Sequence, residues 1–199
     1  MPKTQSNEPR DAIDMLMEDH KRVQKLFKQF EKLEHDDAEA VSEVVETAIG
    51  ELQVHSMLEE ELFYPAVRAQ IGDEEGEDLL NEAEVEHEAV DELIAKLQEL
   101  EAGDDMYAAY FTVLTEYVKH HVKEEEKELF PKVRKLQDLD LQQLGQDMQA
   151  RREELQAEIE SGESETAGGA RKKSPAKSKE SDEEMEDEQE QADTGRTRH

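Results

Sequence analysis

Apolar residues recur with helical spacing from residue 10 to about residue 160, and no part of this stretch alternates with the two-residue period of a β-strand. Glycine and proline are scarce in it, so the pattern predicts long helices. We predict five, with the approximate bounds 11–33, 38–67, 79–100, 106–136 and 141–159. The acidic, glycine-rich segment Gly72–Gly76 is predicted to be the loop between the second and third helices.

Long helices that are joined by short connections pack as antiparallel neighbours. The predicted fold is therefore all-α: an up-and-down antiparallel four-helix bundle over residues 10–160, with an additional C-terminal helix against one end or flank. Residues 1–9 and 161–199 carry almost no apolar side chains and are predicted to be disordered. The C-terminal tail runs from basic (RKKSPAKSK) to acidic, which is typical of a solvated linker rather than a docking segment for an anionic partner.

Composition narrows the classes of function. The net charge of −30, with acidic residues spread along the whole chain, opposes binding to nucleic acid or to an anionic membrane. The absence of cysteine excludes disulfides, thiolate metal sites and cysteine nucleophiles. The N-terminus MPKTQSNEPRD lacks the apolar core of a secretory signal, and no apolar run reaches the length of a membrane span. We expect a cytoplasmic protein, most simply a monomer.

The candidate chemistry lies in an internal repeat. Segments 55–65 and 121–131 both read His-x-x-x-Glu-Glu-x-x-x-aromatic-Pro. Two further histidines repeat with nearly the same offset, because His20 and His87 are 67 positions apart and His55 and His121 are 66 apart. A histidine and a glutamate four residues apart lie on the same face of a helix, where both can reach one metal ion. The chain is therefore predicted to consist of two helix pairs that each supply half of a site.

Six polar residues of this repeat occupy positions on the predicted apolar stripes: His20, His55, Glu59, His87, His121 and Glu125. A carboxylate that faces a bundle core is costly unless it is paired or bound to metal, and no Arg or Lys lies on these stripes to pair with it. We therefore predict a metal site with these six as ligands. Nitrogen and oxygen ligands without sulfur suit iron, manganese or zinc, and two carboxylates able to bridge favour two ions.

Three other residues are candidates for an auxiliary role at the metal or its pocket: Glu84, Asp91 and Tyr117. Tyr117 lies one turn before His121, where it could contact the pocket, although packing in the core is the simpler interpretation. A ferritin-like site would need Glu-x-x-His on two helices, and only Glu84–His87 has that spacing. The ferritin-like arrangement is therefore disfavoured.

Taken together, these motifs resemble the hemerythrin HHE cation-binding family over about residues 10–155. The resemblance rests on Asp19-His20, His55-x-x-x-Glu59-Glu60, Glu86-His87 and His121-x-x-x-Glu125-Glu126, with aromatic-Pro endings at Pro65 and Pro131. It implies two irons bridged by two carboxylates and an oxo or hydroxo group. It further implies that His20 and His55 bind one iron, that His87 and His121 bind the other, and that Glu59 and Glu125 bridge.

The sequence departs from the oxygen-carrying members at one place. Those members have a second histidine on the third helix, one turn from the first, whereas Ala83 and Asp91 flank His87 at that distance here. The second iron is then one ligand short unless Glu84, Asp91 or water takes the place. The resemblance leaves three interpretations: a protein that binds or senses oxygen, nitric oxide or iron; a di-iron redox enzyme, peroxidase-like or acting in iron-centre repair; or a structural bundle that holds zinc or no metal.

Overall fold

The computed structural model describes residues 11–33 and 37–161, and within these ranges the only regular structure is helical. The two termini that are predicted to be disordered lie outside the described residues, except for Ser161, which is the last residue of the last helix. The helices are α1 (Ala12–Phe30), α2 (Ala38–Leu58), α3 (Tyr64–Ile71), α4 (Glu74–Gln98), α5 (Asp105–Glu124), α6 (Phe130–Val133) and α7 (Leu141–Ser161). Two π-helical turns, π1 (Glu59–Phe63) and π2 (Glu125–Leu129), join α2 to α3 and α5 to α6 without a break.

The fold is an antiparallel up-and-down four-helix bundle with a fifth helix, as the helical pattern predicts. Helix α1 packs on α2 and α4 packs on α5, while α7 lies against both α1 and α2. Helix α7 contributes three side chains to the core, from Leu144, Met148 and Leu155. None of the described helices is both long enough and apolar enough to cross a membrane.

Aspartate caps determine where several helices begin. The side chains of Asp11, Asp37 and Asp73 each accept a hydrogen bond from the backbone N–H three residues later. Gly72 adopts a left-handed conformation, with φ of 59°, and ends α3 immediately before Asp73 caps α4. The predicted loop is therefore shorter than expected and α4 begins at Glu74, because the cap and the acidic first turn favour a helix start there.

The two π-helical turns occur at equivalent positions of the internal repeat. The backbone N–H of Tyr64 donates to the carbonyl of Glu59, and that of Phe130 donates to the carbonyl of Glu125, so each bond spans five residues. A proline follows each turn, and proline can neither donate the usual bond nor tolerate the carbonyl four residues earlier. The wider turn accommodates both constraints. The second and fourth predicted helices are therefore continuous, and each contains one π-helical turn that the apolar periodicity does not indicate.

The core consists of two apolar clusters, one on each side of the middle of the bundle. The first contains Leu16, Leu58, Phe63 and the buried residues of α7, and the second contains Val23, Leu52, Phe111 and Val118. His20 lies between Leu16 and Val23 on α1, and His55 lies between Leu52 and Leu58 on α2. The buried polar residues therefore form a layer between two dry clusters.

Candidate metal centre

The structure brings the six sequence-predicted ligands together in the middle of the bundle. All six are at most 5% exposed. Their potential ligand atoms form two groups, each with all atoms within 4.8 Å of one another. The first group is His20, His55, Glu59 and Glu125, and the second is Glu59, His87 and His121. Glu59 belongs to both groups, which is the placement that a bridging carboxylate requires.

Each glutamate faces one imidazole from each half of the chain. Oε2 of Glu59 lies 3.2 Å from Nε2 of His55 and 3.4 Å from Nε2 of His87. Oε2 of Glu125 lies 3.2 Å from Nε2 of His20 and 3.5 Å from Nε2 of His121. Both carboxylates therefore span the two groups, and the pseudo-symmetry of the repeat is carried into the site.

The inward-facing atoms have the character of metal ligands. Among the described residues, Nε2 of His20 and of His55, both oxygens of Glu59 and Oε2 of Glu125 are buried without a hydrogen-bond partner. A buried polar atom left unpaired costs about 1–3 kcal/mol. A cation placed among these atoms would satisfy all of them at once. Imidazole nitrogens with carboxylate oxygens suit iron, manganese or zinc, so the residues fit the metal ions that the sequence predicts.

Four further carboxylates support the four imidazoles from outside. The Nδ1 atoms pair with acidic side chains at 3.0 Å (His20 with Glu126), 3.4 Å (His55 with Asp19), 3.0 Å (His87 with Glu60) and 2.9 Å (His121 with Glu86). A carboxylate that accepts a hydrogen bond from Nδ1 leaves the lone pair on Nε2, which points inward. All four rings are thereby oriented as ligands.

The sequence analysis included these four carboxylates in the motifs but assigned them no role. The feature that could have indicated one is their position next to the predicted ligands. Asp19 and Glu86 directly precede His20 and His87, whereas Glu60 and Glu126 directly follow Glu59 and Glu125. Each supports a histidine on a different helix, so the pairing can be assigned only once the helices are packed.

The two buried glutamates differ in their electrostatics in the metal-free chain. Burial, reinforced by the charge of Glu125, raises the pKa of Glu59 well above its usual range. Burial would also raise the pKa of Glu125, but His121 and His20 outweigh it and lower that pKa. Burial lowers the pKa of His55 to about 4, which keeps this imidazole neutral as a ligand must be. Metal binding is therefore expected to displace a proton from Glu59.

Tyr64 is a site residue that sequence reasoning missed. Its hydroxyl donates to Oε1 of Glu125 at 3.1 Å and lies 3.5 Å from Nε2 of His87. Burial, together with the charges of Glu125 and Glu59, raises the pKa of this phenol well above its usual range. Its counterpart in the second repeat is Phe130, whose ring stacks on that of His20 with the two ring centroids 5.8 Å apart. The feature that could have indicated its role is that the aromatic residue before the proline is tyrosine in the first repeat and phenylalanine in the second.

The three auxiliary candidates, Glu84, Asp91 and Tyr117, lie at exposed positions outside the buried polar layer. Glu84 is 47% exposed and pairs with Arg68, Asp91 is exposed, and Tyr117 is 47% exposed. On α4 the buried stripe continues from His87 through Val90 and Ile94, and on α5 it reaches His121 through Val118. Because a helix turn has 3.6 residues, the buried stripes alternate three- and four-residue steps, and Asp91 and Tyr117 lie beside these stripes rather than on them.

A cavity of about 20 Å³ adjoins the imidazoles. It is lined by all four histidines and by apolar side chains that include Val23, Leu52, Val90 and Val118. This volume accommodates about one water-sized molecule. The surroundings favour a small, weakly polar ligand over an organic substrate.

Comparison with known proteins agrees with this geometry. Residues 11–133 match the model of the hemerythrin HHE cation-binding domain. An uncharacterized hemerythrin-like protein of Schizosaccharomyces pombe is 26% identical over 118 residues, which are 59% of this chain and 57% of that protein, so the chain spans little more than half of this relative's length. The crystal structure of a hemerythrin HHE cation-binding domain-containing protein from Mycobacterium kansasii superposes with a TM-score of 0.65 at 21% identity, covering 78% of this chain and 94% of the other.

The family match covers more than half of the chain and includes every residue of the buried polar layer. The fold agrees with the Mycobacterium kansasii structure. The chain therefore belongs to the hemerythrin HHE cation-binding domain family.

Proposed function

We propose that this protein holds two iron ions and uses them to bind or sense oxygen, nitric oxide or iron itself. The observation that carries the proposal is the placement of Glu59 and Glu125, each facing one imidazole from each half of the chain. In this proposal His20 and His55 hold one ion, His87 and His121 hold the other, and the two glutamates bridge. Manganese and zinc suit the same donors, and iron is preferred because its redox chemistry gives the buried cavity a use.

The protein orients the proposed imidazole ligands, gives the adjoining cavity a partly apolar lining and holds a proton close to Glu125. An iron pair in this place supplies one-electron chemistry toward oxygen, nitric oxide or peroxide. The supporting carboxylates orient the four rings, and valine and leucine side chains line much of the cavity beside them. The Tyr64 hydroxyl holds a proton 3.1 Å from Glu125.

A second candidate function is a di-iron redox enzyme that acts on peroxide or in iron-centre repair. The Tyr64 phenol favours it, since a buried protic group that contacts two of the proposed ligands, Glu125 and His87, can deliver a proton within the site. The cavity supports only small ligands in either case. Our proposal includes a cytoplasmic monomer. It has no nucleic-acid or anionic-membrane partners, because the net charge of −30 would repel their phosphates.

The two functions are separated by optical spectroscopy on the anaerobically iron-loaded protein. A spectral change on adding oxygen or nitric oxide, without repeated turnover, supports binding or sensing. Repeated consumption of peroxide that is lost in His55→Ala and His121→Ala supports the enzyme. A spectrum that responds to none of the three reagents contradicts the enzyme and the binding of oxygen or nitric oxide, and a chain that takes up no iron contradicts both functions in every form.

A further inference from the structure

A second histidine–carboxylate cluster lies outside the buried layer. Glu86, His120 and Glu124 bring ligand atoms within 4.8 Å of one another. Nε2 of His120 lies 3.2 Å from Oε1 of Glu124 and 3.6 Å from Oε1 of Glu86. His120 is 54% exposed, whereas Glu124 and Glu86 are 25% and 16% exposed. The cluster is therefore open to solvent on the histidine side and more enclosed toward the bundle.

Glu86 connects this outer cluster to the buried centre. Its Oε2 pairs with Nδ1 of His121 at 2.9 Å, while its Oε1 faces His120. A cavity of about 10 Å³, near the size at which one water fits, lies between the two clusters. Its polar lining consists of Glu86 and Glu124 from the outer cluster and His121 and Glu125 from the inner one.

The sequence of α5 explains why the two clusters adjoin. It reads His120-His121-x-x-Glu124-Glu125, which is two His/Glu pairs at four-residue spacing, offset by one residue. One residue rotates a helix by about 100°, so one pair faces inward and the other faces outward. The equivalents of His120 and Glu124 in the first repeat are Val54 and Leu58, which cannot bind metal. The outer cluster is therefore a feature of the second half alone.

We propose that Glu86, His120 and Glu124 form a surface site for a divalent transition-metal cation, Fe²⁺ in particular, and that this site passes the ion to the buried centre. One imidazole and two carboxylates favour Fe²⁺ or Mn²⁺ over magnesium or calcium, which prefer oxygen alone. Three protein ligands leave the remaining positions to water, so the site binds weakly and exchanges quickly. The transfer step rests on the proposed di-iron function, whereas the surface site does not.

Binding at the surface site is tested with Mn²⁺ alone on the full chain at physiological salt. Mn²⁺ in the buried centre would also broaden the signals of the adjacent His120, so the titration uses a chain whose buried centre is impaired by Glu59→Gln. Paramagnetic broadening is then expected at the His120 ring before exposed side chains far from the cluster. Adding Glu124→Gln should weaken this effect at least about tenfold, since even residues that only support metal ligands typically account for 10–100-fold in affinity. The charge-matched control adds Glu39→Gln instead, an exposed carboxylate roughly 24 Å along α2 from His55, and it should leave the effect unchanged.

The Glu59→Gln background also separates the two proposals, because the surface site does not need the buried centre. If the buried centre binds no metal in any variant, the di-iron function fails while the His120 signal still decides the surface site. Equal Mn²⁺ affinity at His120 with and without Glu124→Gln would overturn the surface site.

Transfer is tested by anaerobic loading of the metal-free chain with Fe²⁺, stopped at intervals with a chelator. His120→Ala and Glu124→Gln should fill the buried centre several-fold more slowly than wild type and Glu39→Gln, and should reach the same final iron content. Equal filling rates in all four proteins would overturn the transfer step.

Discussion

At the scale of single residues, Glu59 is a destabilising group in the metal-free protein. It is fully buried and neither of its oxygens has a hydrogen-bond partner among the described residues. Glu59→Gln keeps the volume but removes the ionisable group. We predict that it abolishes tight metal binding and yet raises the free energy of unfolding of the metal-free chain by about 1–3 kcal/mol. Denaturant unfolding with and without metal measures both effects.

The matched control is Glu61→Gln, two residues away in the same π-helical turn. Glu61 is 41% exposed and pairs with Arg151 at the surface, where such pairs contribute about 0–1 kcal/mol. Iron content should be unchanged in this control. A metal-free Glu59→Gln protein that unfolds well below wild type would show that Glu59 has a structural partner.

Tyr64 is predicted to act on the centre rather than only on stability. Tyr64→Phe removes the hydroxyl that donates to Glu125 and should shift the optical spectrum of the iron-loaded protein, together with its rate of reaction with oxygen. Tyr107→Phe changes another buried tyrosine, which lies in the second apolar cluster, and serves as the control. Both variants should lose about 0.5–1.5 kcal/mol of stability for a lost hydrogen bond. Identical spectra for both would contradict a role for Tyr64 at the metal.

The residues that could be predicted from sequence are those that break a pattern. A histidine or glutamate on an apolar stripe is visible in the sequence, so all six inward residues were identified. Tyr64 continues the aromatic pattern, and its hydroxyl becomes informative only when α3 places it beside Glu125. The exposed positions of Glu84 and Asp91 could not be predicted, because spacing along one helix does not decide on which side of a stripe a residue lies.

At the scale of helices, α7 reaches the metal centre although it lies beyond the segment that matches the family. Arg152 on α7 and Arg22 on α1 both pair with Asp19, which supports His55. Burial would raise the pKa of Asp19, but His55 and Arg152 outweigh it and lower that pKa to about 2. Asp19 therefore stays ionised as the acceptor for His55.

We predict that Arg152→Gln lowers iron affinity about tenfold, at the low end of the 10–100-fold that supporting residues contribute, because Arg22 still holds Asp19. Arg151→Gln is the control on the same helix. Arg151 forms ion pairs with Glu61, Glu154 and Glu158, and none of the three is a proposed ligand or one of the carboxylates that support the imidazoles. Competition with a chelator measures the affinity. Equal iron affinities in the two variants would show that α7 does not influence metal binding.

The helix order and approximate bounds followed from periodicity, but the π-helical turns did not. Pro65 and Pro131 indicate that the helix is disturbed, and they do not indicate whether it kinks, ends or widens. The packed bundle decides, because both Glu59 and Tyr64 must face the interior across the turn.

At the scale of the whole molecule, stability should depend on α7 and not on the tail. Truncation after Gly162 removes a segment that lies outside the described residues and has few apolar side chains, so iron content and melting temperature should not change. Truncation after Asp140 also removes Leu144, Met148 and Leu155, each worth about 1.5–3 kcal/mol when buried, and should lower stability by several kcal/mol. Thermal unfolding of both truncated chains measures the two effects. A marked drop in the melting temperature of the chain truncated after Gly162 would show that the tail docks on the bundle.

The most direct test of the central claim is the iron content of the full chain after anaerobic reconstitution with Fe²⁺ and removal of loosely bound metal. The arrangement of four imidazoles around two shared carboxylates predicts two tightly bound irons per chain in the wild type. One iron per chain, or none, would contradict a di-iron centre bridged by Glu59 and Glu125.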